Sequence, residues 1–377
     1  MSNRLQQLHD AGQSIWLDFI DRTILRNGEL ARRIREDALT GMTSNPTIFE
    51  KALAEGTAYD EQLTGAPASL TAWDLFELVE TDDVRSASDL FRPVYDRTGG
   101  TDGYVSIEVS PGAAHDAAST IAEAHRLWDE VGRPNVMVKV PGTTEGALAV
   151  RQLTADGLNI NITLLFSLDA YRSVIEAYMQ GLEDRVAAGQ EITHIASVAS
   201  FFVSRVDTEV DRRIDAMLPS AAPDVAARLT ALKGRVAVAN AKLAYALFRE
   251  RFAGDRWSAL ARRGAKLQRP LWASTSTKNP AYRDVMYVED LIGPDTVNTI
   301  PPATIEAFRD HGEVRRTVTT GLDAARQCVA DLESLGISLS AVTDKLLVDG
   351  IASFSKSFDT LIARLSEKSR ALATAAR

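Results

Sequence analysis

The chain has 377 residues, 45% hydrophobic and 25% charged, a globular composition rather than a disordered or fibrous one. A net charge of −9 with a pI near 5.2, and no basic stripe, argues against a nucleic-acid partner and leaves any anionic substrate to a few local cations. A single cysteine, Cys328, excludes an intramolecular disulfide and a cysteine-rich metal centre, and the five histidines show no metal-ligand spacing; no metal and no cofactor is expected. Cys328 lies in a helix-like run and reads as a small buried hydrophobe rather than a reactive thiol. The first residues lack a basic segment followed by an apolar core and cleavage site, and no apolar run approaches membrane-spanning length. The expectation is a cytoplasmic protein with no membrane partner.

Short strand-like runs alternate with long amphipathic segments along the chain. "SIWLDFI" (14–20) precedes a helix over 25–38, and "GMTSN" (41–45) precedes helices over 46–54 and 70–97. "GYVSIEVS" (103–110) leads into a helix over 112–132, "NVMVKV" (135–140) into 144–155, and "LNINITLL" (158–165) into 168–189. "HIASVASFFV" (194–203) is followed by helical sequence over 204–253, "PLWASTST" (270–277) by 279–292, and "VNTIP" (297–301) by helical periodicity from about 303. Asn45-Pro46 and Asn279-Pro280 read as helix starts, asparagine capping and proline fitting the first turn. Eight strands with helices between them predict an α/β fold, a (β/α)8 TIM barrel with extra C-terminal helices, as one domain over 1–377. No low-complexity tract, linker or tandem repeat interrupts it.

The strands alternate with period two. Val105, Ile107 and Val109 oppose Ser106 and Glu108; Ile160, Ile162 and Leu164 oppose Asn159, Asn161 and Thr163; Ile15, Leu17 and Phe19 oppose Trp16 and Asp18. An open doubly wound sheet buries both faces of its central strands and favours continuous apolar runs. A barrel accounts for the polar faces, because the aliphatic side meets the helices and the polar side looks into the lumen, where barrel enzymes place their chemistry near the strands' C-terminal ends.

In "NVMVKV", Val136, Val138 and Val140 face one way while Met137 and Lys139 face the other. Taken alone, this lysine also fits an edge strand guarded against aggregation. In a barrel it joins Glu108, Asp18, Asn45, Asn161 and Thr163 within one lumen. An amine among acids and amides points to covalent catalysis on a carbonyl through a Schiff base. A buried ion pair of Lys139 with Glu108 or Asp18, without chemistry, is the alternative that periodicity leaves open.

The runs "WLDFIDR", "TGMTSNPTIFEKAL", "VSIEVSP", "VMVKVPGTTEG", "INITLLFS", "ASVASFFVSRVD", "LWASTSTKNPAY" and "LLVDGIASF" resemble the transaldolase family, in the family's order and over about residues 14 to 355. The resemblance implies a metal-free class I aldolase barrel that moves a dihydroxyacetone unit from a ketose phosphate to an aldose phosphate in the pentose phosphate pathway. By the same resemblance, Lys139 stands at the Schiff-base position and Asp18 at that of the base that takes the C4 hydroxyl proton. Glu108 with a water held by Thr163 matches the proton shuttle of imine formation and hydrolysis. Asn45 and Asn161 match the amides that hold the dihydroxyacetone hydroxyls, with Thr43 and Ser200 beside them, and Phe202 matches an aromatic wall. Arg205 matches a phosphate-binding arginine. In the short form of the family a second arginine follows a Ser-Phe pair after strand seven; here "STSTKN" puts Lys278 in its place, with Ser274 or Ser276 as the accompanying serine.

The expected partners are therefore sugar-phosphate substrates, and a homo-oligomer is compatible with the sequence. Two rival functions remain open at this level. A fructose-6-phosphate aldolase would cleave rather than transfer, and a noncatalytic sugar-phosphate-binding barrel would keep the pocket without turnover. A class II aldolase would need histidine ligands that the sequence does not offer.

Overall fold

In a computed structural model, which describes residues 3–67 and 69–375, eight parallel strands close into a barrel in sequence order. They are β1 (Gln13–Asp18), β2 (Leu39–Thr43), β3 (Tyr104–Glu108), β4 (Val136–Pro141), β5 (Ile160–Leu165), β6 (Ser197–Phe202), β7 (Gln268–Ala273) and β8 (Thr296–Ile300). The closed ring has no edge strand, which removes the edge-guard reading of Lys139. Val105, Ile107, Val136, Val138, Val140, Ile160 and Ile162 are fully buried. Each such side chain contributes about 1.5–3 kcal/mol relative to exposure.

The lower lumen is filled by Trp16, whose indole N–H donates to Asp102 at 2.8 Å. Asp102 also accepts from Ser14, and Arg269 donates to the Ser14 hydroxyl at 2.8 Å. Gly41 lies against the indole, where a Cβ would stand 2.5 Å from its ring atoms. A small residue on β2 thus makes room for a large one on β1, and chemistry is confined to the space above Trp16.

The helices follow the predicted alternation with revealing departures. A short α1 (Arg4–Asp10) precedes β1, where no element was predicted. The helix predicted over 25–38 is two, α2 (Arg22–Arg26) and α3 (Glu29–Glu36), parted at Asn27-Gly28, where Gly28 takes φ +84°. After β2 come α4 (Pro46–Glu55), α5 (Asp60–Gly65) and α6 (Ala72–Arg97); α7 (Ala117–Val131), α8 (Thr144–Asp156) and α9 (Leu168–Ala187) fill the next three crossovers. The 204–253 segment is not one helix but α10 (Ser204–Met217), α11 (Pro223–Leu232) and α12 (Val236–Arg251). Pro219 and Pro223 have no N–H to continue the ladder, and Gly234 turns the chain at φ +69°. Then α13 (Asp255–Ala261) leads to β7.

The helix predicted over 279–292 is absent except for α14 (Met286–Glu289). The Asn279 side chain accepts from Ala281 N at 3.0 Å, an Asx turn rather than a helix cap. The Thr277 hydroxyl approaches the carbonyls of Arg283 and Asp284 at 3.0 and 3.1 Å, folding 277–284 back on itself. The chain ends in α15 (Pro302–His311), α16 (Leu322–Ser334), which carries the half-buried Cys328, and the long α17 (Leu339–Ala375). Burial pushes the Cys328 thiol up to about 11, the behaviour of an inert cysteine. Among the described residues no helix is long and apolar enough to cross a membrane.

Two buried carboxylates tie α10 to its surroundings. Asp207 accepts from Ala237 N at 2.8 Å and from the Tyr287 hydroxyl at 2.9 Å. Asp211, one turn later, accepts from Gly234 N at 3.2 Å and from the Tyr282 hydroxyl at 2.6 Å. Burial pushes Asp207 up to about 7, with Asp211 adding to the rise and the bonds from Ala237, Tyr287 and Val236 opposing it. A carboxyl raised on folding stays neutral in both states below its unfolded value, ~3.9, so it costs nothing there; the cost grows as pH climbs from that value to about 7. Asp207→Asn is therefore expected to gain stability relative to the parent between pH 5 and 8, by a few kcal/mol at most. Thermal melts across that range check it, and a parent-to-variant Tm difference that does not move with pH contradicts it.

Candidate active site

Strand register assembles the site. Parallel pairing sets Asp18 beside Thr43, Glu108 beside Lys139, and Lys139 beside Asn161, all at the C-terminal half of the barrel. These side chains are buried: Lys139 is 6% exposed and Glu108 8%. Lys139 Nζ donates to Glu108 Oε2 at 2.8 Å and to the carbonyl of Ser44 at 3.0 Å. The ion pair that periodicity left open is thus real, and it does not exclude chemistry. Burial pushes the Glu108 carboxyl above its ordinary range, with Lys139 opposing the rise. A carboxyl so placed is poised to exchange a proton with the amine it touches.

Asp18 is also raised by burial, opposed by Lys139, by a hydrogen bond from Thr43 and by the charges of Lys278 and Arg205. The Thr43 hydroxyl donates to Asp18 at 2.9 Å and lies 2.6 Å from that of Thr299. Thr163, which lines the pocket, carries a buried hydroxyl with no hydrogen-bond partner. The next residue, Leu164, holds φ +59° at a register shift between β5 and β6. Asn161 accepts from Ser200 at 2.7 Å and donates to Ser106 at 2.9 Å.

The pocket has a volume of about 320 Å³, at the lower end for small-molecule sites. It is lined by Asp18, Thr43, Asn45, Lys139, Thr163, Ser200, Phe202, Arg205, Ser274, Ser276 and Lys278. Of the predicted site residues, only Glu108 and Asn161 stand behind this lining, each in contact with a residue that forms it. Larger hollows, about 800 Å³ beside Arg22 and Asp83 and about 700 Å³ beside Trp73 and Phe358, contain no lysine, so chemistry rather than size selects the smaller one.

Asn45 is not on a strand. It caps α4, its carbonyl oxygen accepting from Ile48 N at 3.1 Å, which leaves the amide N–H2 for the pocket. After β7, Ser274 takes φ +56° and its hydroxyl lies 3.0 Å from that of Ser204. Ser276 accepts from Lys278 Nζ at 2.6 Å, and both belong to an irregular connection rather than a strand. Arg205 lies over the Phe202 ring, its guanidinium carbon 5.1 Å from the centroid.

Sequence reasoning missed several lining residues. Thr47, Ile48 and Lys51 face the pocket from α4, at the i, i+1, i+4 spacing of one helix face, a signal already present in "TIFEKAL". Phe354 reaches it from α17, and Gly350, one turn earlier, brings that helix onto β5: a Cβ there would sit 2.9 Å from Leu164 Cδ2. Nothing in the alternation of strands announces that the last helix adds a side chain to the pocket.

A family model described as Transaldolase/Fructose-6-phosphate aldolase matches residues 15–365. The chain belongs to that family. It is 48% identical over 375 residues to "Transaldolase 2" of a Nostoc species, covering 98% of both chains. It is 47% identical over 370 residues to "Transaldolase" of Thermobifida fusca, covering 98% of this chain and 99% of that one. Family membership extends over all eight strands and into α17, so the helix that supplies Phe354 is within the match.

Proposed function

We propose that the protein is a cytoplasmic transaldolase that transfers a dihydroxyacetone unit from sedoheptulose 7-phosphate or fructose 6-phosphate to glyceraldehyde 3-phosphate or erythrose 4-phosphate, as a step of the non-oxidative pentose phosphate pathway. The transaldolase assignment rests on full-length similarity at 47–48% identity. The observation that carries the mechanism is the buried Lys139–Glu108 pair beneath a pocket edged by cations.

In this reading Glu108 takes a proton from Lys139, and the free amine attacks the ketose carbonyl. Loss of water gives a protonated imine, with Thr163 steering the water and Glu108 returning the proton. Asp18 removes the C4 hydroxyl proton, the C3–C4 bond breaks, and its electrons flow into the iminium to leave an enamine. Asn45 and Asn161, with Thr43 and Ser200 beside them, hold the dihydroxyacetone hydroxyls so that the enamine waits in one orientation for the second aldehyde. Reversal of the same steps on that aldehyde completes the transfer. Arg205, Lys278 and Ser276 hold the phosphate.

The test is borohydride reduction with fructose 6-phosphate followed by peptide mapping. Lys139 is expected to be the residue trapped, and only when substrate is present. Label on another lysine, or label that needs no substrate, removes this mechanism.

A further inference from the structure

Arg205 and Lys278 come from separate parts of the chain, so something must fix the distance between them. Arg205 sits in the first turn of α10, and Lys278 sits in the folded-back connection after β7. At the root the two are joined by main chain: Val203 N donates to Ala273 O at 2.9 Å and Ser204 N to Ser274 O at 3.1 Å. Beyond that point the joints are side chains. The 277–284 turn is closed internally by Thr277 and Asn279, so Lys278 moves with it as a unit. Tyr282 in that turn donates to Asp211, and Tyr287 just past it donates to Asp207.

Asp207 and Asp211 lie one turn apart on α10, and both also accept from the main chain at the start of α12. Three elements therefore meet on two carboxylates. Buried charges of this kind are rarely the cheapest way to fill a core, because apolar residues of similar volume often stabilise more. What they add is direction, since each oxygen accepts only from donors placed along its lone pairs. The Tyr282 ring is seated as well: a Cβ on Gly234 would approach it to 2.7 Å, and Gly234 has φ +69°.

We propose that Asp207, Asp211, Tyr282 and Tyr287 are positioning residues that set the separation of Arg205 and Lys278, and through it the preference for phosphorylated over unphosphorylated donors. This rests on the reading of Arg205 and Lys278 as the phosphate site. It also gives the long excursion between β6 and β7 a task, because the start of α12 supplies the backbone donors that hold both carboxylates in place.

The test uses Tyr282→Phe and Tyr287→Phe in the full chain; each keeps the ring and removes one donor. Inorganic phosphate as a competitive inhibitor and fructose 6-phosphate as donor are compared with unphosphorylated fructose, using erythrose as a common acceptor. The expected result is an increase of about 3- to 10-fold in the phosphate inhibition constant and in KM for fructose 6-phosphate, the worth of one hydrogen bond. kcat and the constants for fructose should stay within about twofold. Two variants are made so that poor folding of one still leaves the other to decide. Unmoved phosphate constants in a folded variant, or an equal loss with both donors, overturns the proposal. Arg205→Ala serves as reference. If it shifts the phosphate constants and the tyrosine variants do not, the positioning role alone fails; if it shifts nothing either, the phosphate reading has failed with it.

Discussion

Asp18→Asn is expected to lower kcat for transfer by about 10²- to 10⁴-fold, the usual contribution of a general base, while the imine still forms. The side chain keeps its size, and its remaining carbonyl oxygen can accept the Thr43 hydroxyl that Asp18 accepts at 2.9 Å. What it loses is the capacity to take a proton. In the proposed mechanism imine formation runs through Lys139 and Glu108, which touch each other and not Asp18 in the hydrogen-bond network. Borohydride trapping with fructose 6-phosphate should therefore persist near the parent rate as turnover collapses. A second readout separates this from a damaged fold. Burial raises the Asp18 carboxyl, so ionising it costs stability that is absent below the unfolded value and grows as pH rises above it. The amide removes that cost, and the variant should melt at or above the parent temperature at pH 7 to 8. Turnover near the parent level would move the base elsewhere, with Glu108 the first candidate. A fall in turnover together with lost trapping would mean that Asp18 assists imine formation instead.

The gathering of these side chains in one lumen was legible in the sequence wherever a strand's alternation decided which way a side chain points. Lys139, Glu108, Asp18, Asn161, Thr163 and Ser200 all come from strands, and period two places each in the lumen once a closed parallel barrel is recognised. Strand partners are then set by register, which is why Glu108 meets Lys139 and Thr43 meets Asp18. Legibility ends where loops and helices take over. Asn45 ends the strand-like run "GMTSN" and also reads as the cap of a helix starting at Pro46; β2 stops at Thr43 and Asn45 caps α4, so the second reading holds and the strand end is two residues too long. The Asn279-Pro280 pair resembles the same signal, yet Thr277 and Asn279 satisfy local carbonyls and amides by turning back, and the helix never forms. Two identical dipeptides part ways because of hydroxyl and amide bonds two to seven residues away. Lys51 and Phe354 reach the pocket from α4 and α17 by tertiary packing alone, which one-dimensional periodicity does not encode.

The second large effect concerns the cations. Arg205→Ala is expected to raise KM for fructose 6-phosphate by about 10- to 100-fold, the range for a hydrogen bond to a charged group in a partly desolvated site. Among the described residues Arg205, Lys278 and Lys51 make no ion pair with any carboxylate, although the protein as a whole carries a net charge of −9. Burial lowers Arg205 from its ordinary value, with Asp18 and Glu108 opposing. Burial also lowers Lys278, and the charges of Arg205 and Lys51 lower it further. Arg205 moreover sits in the first turn of α10, where the positive end of the helix dipole disfavours a cation. Three unpaired cations around one pocket repel one another, and a phosphate dianion reverses each of those costs at once. The guanidinium is held over the Phe202 ring, so its geometry is set before substrate arrives. Lys278 is less enclosed than Arg205 and its ammonium donates to Ser276, so Lys278→Ala should act in the same direction more weakly, about 3- to 10-fold. Neither residue hydrogen-bonds Lys139, Glu108 or Asp18, and their charges are the last of the influences on Asp18, so kcat and the constants for unphosphorylated fructose should hold within about threefold in both variants. The ratio of kcat/KM for the two donors, measured with erythrose as common acceptor, decides the matter. If that ratio is the same in Arg205→Ala as in the parent, Arg205 contributes only to the surroundings of Phe202, and the phosphate is held by other residues of the rim, with Lys278 and Lys51 the unpaired cations left to bear it.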